Sequence, residues 1–269
     1  GWKWVKAWDA GGRGHVIDYG PFEIHTRIFG VERATQHALD EIRAEADAGW
    51  RVESGNKESG KQKAEGDAEL HRADCIWIDS NYEESQSVVF ALCRQDRRYM
   101  AALGRGSSQY NGTHYERPKD VSKSVVGIGE QYHFVNDPAI GLIRVFIDAD
   151  YWKQFARERL SVPLDGQAPT TLYEVGAWHQ HMMAARHLTA EKPVEEFKAG
   201  VGGGTRLRWD KVRSANHMLD CDYLSAAAAH WCGARVVKNV ESKKQKAETE
   251  KPAQMRMPDG RAYLITERD

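Results

Sequence analysis

Hydrophobic and polar residues alternate from Trp2 to Trp8, and this two-residue period predicts a strand. Asp9-Ala10-Gly11-Gly12-Arg13-Gly14 carries turn chemistry, and residues 15–19 read as the returning strand of a β-hairpin, with 22–29 as a third extended run. Val31, Ala34, Ala38, Leu39, Ile42 and Ala46 then recur at near-helical spacing among charges, so an amphipathic helix is expected over 31–48. Residues 73–78 form a short apolar run, 83–94 read as a helix through Val88, Val89, Ala91 and Leu92, and 99–103 as a strand. Together they predict a β-α-β unit. Further on, 125–134 and 142–147 read as strands of an inserted hairpin, and Asp148-Ala149-Asp150 caps a helix over 151–160. Residues 165–169 predict a turn, 172–175 a short extended piece and 178–187 a helix. Extended segments at 195–198 and 206–209 flank a Gly-rich turn at 200–204. A helix over 216–232 follows, its Ser225–Ala229 run small enough to pack tightly against a sheet.

Three stretches lack any period. Residues 53–67 and 104–118 are Gly-rich and polar and read as flexible loops, and 238–251 are almost wholly charged or small, a solvated linker. In the first, Gly55-Asn56-Lys57-Glu58-Ser59-Gly60-Lys61 matches phosphate-loop spacing. Gln62 stands where a magnesium-binding hydroxyl is needed, and no buried helix follows, so the match is set aside.

The chain has 269 residues and a formal net charge of −1, so it lacks the global basic signature of a tight nucleic-acid binder. DNA contact would have to use local patches. A mean hydropathy of −0.66 and the lack of an 18-residue apolar run give no membrane span, and residues 1–8 do not read as a signal peptide. The cysteines at 75, 93, 221 and 232 form no CxxC pair and no zinc spacing, which suits reduced thiols.

Candidate chemistry centres on acids. Asp79 ends a strand inside the β-α-β unit, at the carboxyl end where open α/β sheets place their sites. A strand-ending Asp beside Ser80 and Asn81 is as often a turn former. Asp220 lies in the first turn of the 216–232 helix and shares a face with Tyr223, Leu224, Ala227 and Trp231. Asp222 is turned about 200° away, at 3.6 residues per turn. A carboxylate on a packed face is costly unless paired or metal-bound, so Asp220 reads as the ligand and Asp222 as the helix-dipole partner. His217, one turn earlier, reads as a supporting residue that touches a phosphate or orients Asp220. His179, His181 and His187 complete no zinc motif. Arg94, Arg97, Arg98 and Arg105, with Arg206, Arg208, Lys211 and Arg213, are candidate phosphate contacts. Two acids on separate elements suit a metal-dependent nuclease.

The segments Val5-Lys6-Ala7-Trp8, Val16-Ile17-Asp18-Tyr19-Gly20, Trp77-Ile78-Asp79-Ser80-Asn81-Tyr82, Tyr151-Trp152-Lys153, Leu188-Thr189-Ala190-Glu191 and Asn216-His217-Met218-Leu219-Asp220-Cys221, in that order, resemble the C-terminal nuclease domain of the lambda-like phage terminase large subunit. The resemblance implies an α/β, ribonuclease H-like fold: a mixed sheet flanked by helices, with a β-rich insertion at about 105–147. It implies a nuclease domain over 1–237 and a charged linker and tail over 238–269. The implied activity is endonucleolytic cutting of concatemeric viral DNA during packaging, with Asp79 and Asp220 as catalytic acids in a two-ion magnesium or manganese site. The family places another catalytic Asp before the Val-Lys-Ala-Trp segment, a position upstream of Gly1. Asp18 and Asp9 are weak substitutes. Implied partners are double-stranded DNA, the portal, the small terminase subunit and an upstream ATPase domain, with action in the host cytoplasm at the procapsid portal. Rival readings are a resolvase or transposase of the same fold and a non-catalytic DNA- or portal-docking module.

Overall fold

The computed structural model of the protein describes residues 1–52, 69–107, 114–197 and 204–235. The loop and phosphate-loop match at 53–67, most of the Gly-rich turn at 200–204 and everything after 235 lie outside the described residues. The chain divides into a compact unit, Gly1–Val236, and a second, Val237–Asp269, none of whose residues is described beyond that division.

The hairpin forms as the alternation predicts. β1 (Trp2–Trp8) pairs antiparallel with β2 (Gly14–Pro21), with an irregularity between Val5 and Lys6. Residues 22–29 are not a third strand. After Pro21 the chain turns into a one-turn helix, α1 (Thr26–Phe29), and Gly30 leads into α2 (Val31–Ala48). Three alanines and Leu39 bury α2, as its spacing requires. Gly49 ends it at φ +76°, where a Cβ would also sit 2.6 Å from the His71 carbonyl, so only glycine fits between α2 and the ribbon of β3 (Trp50–Val52) and β4 (Glu69–His71).

The main sheet has five strands. β5 (Ile76–Asp79), β6 (Tyr99–Arg105) and β9 (Leu142–Asp148) run parallel, and β8 (Tyr132–Asp137) and β7 (Val125–Ile128) continue antiparallel from β9, in the order β5-β6-β9-β8-β7. The segment expected as one strand over 125–134 is therefore two. The segment at 142–147 does form one arm of a hairpin, pairing antiparallel with β8, and its other edge lies beside β6 inside the sheet. Its run Leu-Ile-Arg-Val-Phe-Ile suits that place, with Val145 and Ile147 fully buried.

Side-chain alternation divides the sheet's two faces. Tyr99, Ala101, Ile76 and Ile78 pack with Leu39 of α2 and with α3 (Gln86–Gln95), whereas Met100, Ala102, Trp77, Val145 and Ile147 pack with α4 (Ala149–Ser161) and α6 (His217–Trp231). Asp148 caps α4 as expected, accepting the Tyr151 N–H at 3.1 Å. β10 (Thr170–Leu172) adds a parallel strand to β2, and α5 (Met182–Leu188) contributes Ala184 to a third cluster with Val16, Tyr19 and Met218. β11 (Glu191–Phe197) and β12 (Thr205–Lys211) form an antiparallel ribbon. Helix α6 joins these parts: Met218 belongs to the β1-β2 cluster, while Tyr223, Leu224, Ala226 and Ala227 belong to the main-sheet core. This mixed α/β architecture, a sheet flanked by helices, is consistent with a ribonuclease H-like nuclease fold.

Candidate active site

Asp79 closes β5, and its position is held by its neighbour. Buried Ser80 donates both its N–H and its hydroxyl to the Ala102 carbonyl of β6, each at 2.9 Å, which pins the strand end in register. Asp79 Oδ1 accepts from the Asn81 backbone N–H at 3.0 Å and from Asn81 Nδ2 at 2.9 Å. The turn-forming role open to this Asp is thus real, but it occupies one oxygen only.

Asp220 reaches the same place from the first turn of α6. Crowding by protein raises the Asp79 pKa to about 6, with the Asp220 charge adding to the rise and the Asn81 bonds and Lys153 opposing it. The Asp79 side chain nonetheless stays exposed, so water or an ion can reach it. Asp220 Oδ2 accepts from Asn216 Nδ2 at 2.9 Å. Its Oδ1 lies 3.1 Å from Lys153 Nζ, close enough for ion pairing but without the alignment of a hydrogen bond, and is buried with no hydrogen-bond partner.

Behind the two acids lies a buried cation. Lys153 Nζ donates to Glu191 Oε2 at 2.8 Å, and neither side chain has any exposed area. Burial alone would lower the lysine pKa, but Asp220 and Glu191 outweigh it and hold it above its ordinary value. Asn216 Nδ2 also donates to Glu191 Oε1 at 2.6 Å, so this one amide ties the buried Glu to Asp220. Asn216 does not use its side chain to cap α6. Tyr223 lies below, its ring centre 5.7 Å from Lys153 Nζ, and burial followed by the Asp220 and Asp79 charges pushes its hydroxyl pKa well up.

Lys153, Glu191 and Asn216 fall in the segments that carry the family resemblance, but the sequence pattern assigns them no chemistry. One signal for Lys153 was available: it shares the helical stripe Ala149, Trp152, Lys153, Ala156, all buried, and a lysine on such a stripe needs a partner. Glu191 and Asn216 carry no comparable mark.

The remaining candidates disperse. Asp222 is not at a solvated helix flank. It is fully buried, 3.0 Å from Lys6 Nζ and 2.9 Å from Trp4 Nε1, because α6 is packed on its β1 side as well as on its α4 side. His217 is exposed and stacks on Trp2 at 5.4 Å and 14°, while Asp220 is oriented by Asn216. Asp18 pairs with Lys3 at 2.7 Å on the far side of the hairpin near Glu45 and Trp50. Burial there would raise its pKa, but Lys3 outweighs it and holds the carboxyl below its usual value. Asp9 accepts the Arg13 N–H at 2.8 Å within its turn.

Among the basic candidates, Lys211 is exposed and stands opposite Glu191 in the ribbon ladder, one strand from the acids. Arg213 reaches the Thr189 carbonyl at 3.0 Å, near the same end. Arg208 pairs with Asp210 at 3.0 Å, and Arg105 lies over Phe146 at 5.5 Å. The Arg206 backbone pairs with Glu196 in the ribbon. Among the described residues, no group of three or more His, Cys, Asp or Glu side chains is arranged to hold a metal ion.

The fold thus defines an α/β protein with two carboxylates, one from a strand end and one from a helix, close enough to act on each other. Comparison with protein families is more particular: residues 4–243 match the endonuclease domain of the terminase large subunit gpA. The chain belongs to that family, nucleases with a role in packaging and cutting phage DNA. Neither the curated proteins nor the solved structures contain a match to it.

Proposed function

We propose that residues 1–237 form a divalent-metal-dependent DNA endonuclease domain in which Asp79 and Asp220 are the catalytic and metal-holding carboxylates, cutting concatemeric viral DNA during genome packaging. The observation that carries this is the pair itself: two acids from different elements, mutually repelling, one accessible and the other with a buried oxygen lacking a hydrogen bond. Lys153, 3.1 Å from Asp220, offsets part of that repulsion, and a bound divalent cation would relieve the rest.

The donors fit one hard cation, magnesium or manganese, since they are oxygens only. Asp79 and Asp220 would hold it, and when bound it would supply Lewis-acid activation of water and charge neutralisation at the phosphodiester. A two-ion site needs a further carboxylate, because Glu191 is already engaged by Lys153 and Asn216. The chain's own residues do the positioning. Asn81 holds Asp79, Asn216 holds Asp220, and the Lys153 ammonium sits beside them as a fixed positive charge. Lys211, opposite Glu191, and Arg213, bonded to the Thr189 carbonyl, would contact the DNA backbone at the flank. The portal, the small terminase subunit and an upstream ATPase domain are the expected partners, at the procapsid in the host cytoplasm.

The test is cleavage of plasmid DNA by the full-length protein with manganese or magnesium. Asp79→Asn and Asp220→Asn should each lower the rate at least a hundredfold, on the scale of losing a central electrostatic contributor. Cleavage by either variant at the wild-type rate would sink the assignment.

A further inference from the structure

Helix α6 and strand β5 lie side by side in opposite directions. Asp79 and Asp220 meet at one end, the Trp77 and Trp231 rings are 6.4 Å apart further along, and Cys75 and Cys232 adjoin that ring contact, two residues before Trp77 and one after Trp231, where their thiols perturb each other. Asp79 is four residues from Cys75, about 13 Å of strand, and Asp220 twelve from Cys232, about 18 Å of helix.

Both thiols are carried on fixed backbone. Cys232 ends α6 with its N–H bonded to the Ala228 carbonyl at 3.0 Å, and the Gly233 N–H closes the turn onto the His230 carbonyl at 3.1 Å. Cys75 immediately precedes Ile76, whose N–H bonds the Arg98 carbonyl at 2.7 Å. Cys232 is exposed and Cys75 half-buried, so a reagent reaches one thiol first and leaves the other beside it. The remaining cysteines are placed differently: Cys93 is buried in α3, and the Cys221 thiol donates to the Trp2 carbonyl at 3.7 Å.

We infer that Cys75 and Cys232 form a redox modification site, closing to an intramolecular disulfide in the presence of a small-molecule disulfide oxidant and stapling the metal-site strand to the end of the metal-site helix. The Cys232 thiolate attacks the oxidant's disulfide, forming a mixed disulfide and releasing one reduced thiolate. Cys75 then loses its proton and attacks the Cys232 sulfur, forming the intrachain bond and releasing the second thiolate. The two cysteines give up two electrons, and the oxidant's disulfide is reduced to two thiols. Interaction with the Cys75 thiol lowers the Cys232 pKa to about 7, which favours it as the attacking group, while the same interaction and burial hold Cys75 above its usual value. This chemistry stands independently of the nuclease assignment.

The full chain, incubated with oxidised glutathione, alkylated and mapped by mass spectrometry under non-reducing conditions, tests it. The expected result is a peptide pair joined through Cys75 and Cys232, a fall in titratable thiols from four to two, and reversal by dithiothreitol. Cys75→Ser should stop the reaction at a glutathione adduct on Cys232, and Cys232→Ser should abolish both products. The linked chain should show a raised Tm that returns on reduction. A stable glutathione adduct on wild-type Cys232 with Cys75 free, linkage through Cys93 or Cys221, unmodified thiols, or a linked chain that melts no higher would overturn the inference.

Discussion

Replacing Lys153 by methionine tests the buried charge behind the acids. The substitution keeps most of the side-chain volume and removes the ammonium that donates to Glu191 at 2.8 Å and pairs with Asp220 at 3.1 Å. The two acids differ in what they lose. Asp220 has a quarter of its side chain exposed and can take up water, whereas Glu191 has none exposed and loses its buried counter-charge. Stranding such a carboxylate costs about 3–5 kcal/mol. For a compact unit of this size, that lowers Tm by roughly 6–20 °C. The lysine's folded pKa lies above its ordinary value, so its contribution is fully present below about pH 10 and is lost only as pH rises through the folded pKa. The melts therefore belong near neutral pH, with chelator present. Glu191→Gln removes the stranded charge, and the double variant Lys153→Met/Glu191→Gln should be more stable than Lys153→Met alone, with a coupling energy of about 2 kcal/mol or more. Lys153→Met melting within a degree of wild type, or losses that simply add, would refute the reasoning.

If Asp79 holds the metal as proposed, its raised pKa, about 6, predicts that DNA cleavage falls roughly tenfold per pH unit below about 6 as it protonates; a rate flat from pH 7 to 5 would contradict it. Because the folded state binds that proton more tightly than the unfolded chain does, ionising Asp79 costs stability as pH rises from the ordinary carboxylate range through about 6. Asp79→Asn should accordingly melt higher than wild type at pH 7 in chelator, and added manganese should raise the wild-type Tm but not that of the variant. At the fully buried Lys6–Asp222 pair, Lys6→Met should cost about 3–5 kcal/mol in urea unfolding, and Lys6→Met/Asp222→Leu should recover most of it.

Much of the local structure was legible. The hairpin, α2, α3 with its flanking strands, the capped α4 and the Ala-rich α6 follow from period and end signals, which are properties of adjacent residues. The extended reading of residues 22–29 failed because those residues form no ladder with β2 and curl into one helical turn, a choice made by the entry to α2. The strand at 142–148 was visible, but its place between β6 and β8 was not, since strand order is set by which surfaces meet.

The sequence by itself determined the elements and named Asp79 and Asp220 as the acids to watch, because strand ends and first helical turns are local signals. The three-dimensional arrangement decided what surrounds them. The face argument on α6 assumed one packed side, but β1 covers the other, so Asp222 is the more deeply buried of its two acids and is neutralised by Lys6. Lys153, Glu191 and Asn216 come from three elements distant in the chain, and only their packing shows them as a single charged network. A charge in the interior must find its counter-charge wherever the fold brings one, and no local pattern records where that is.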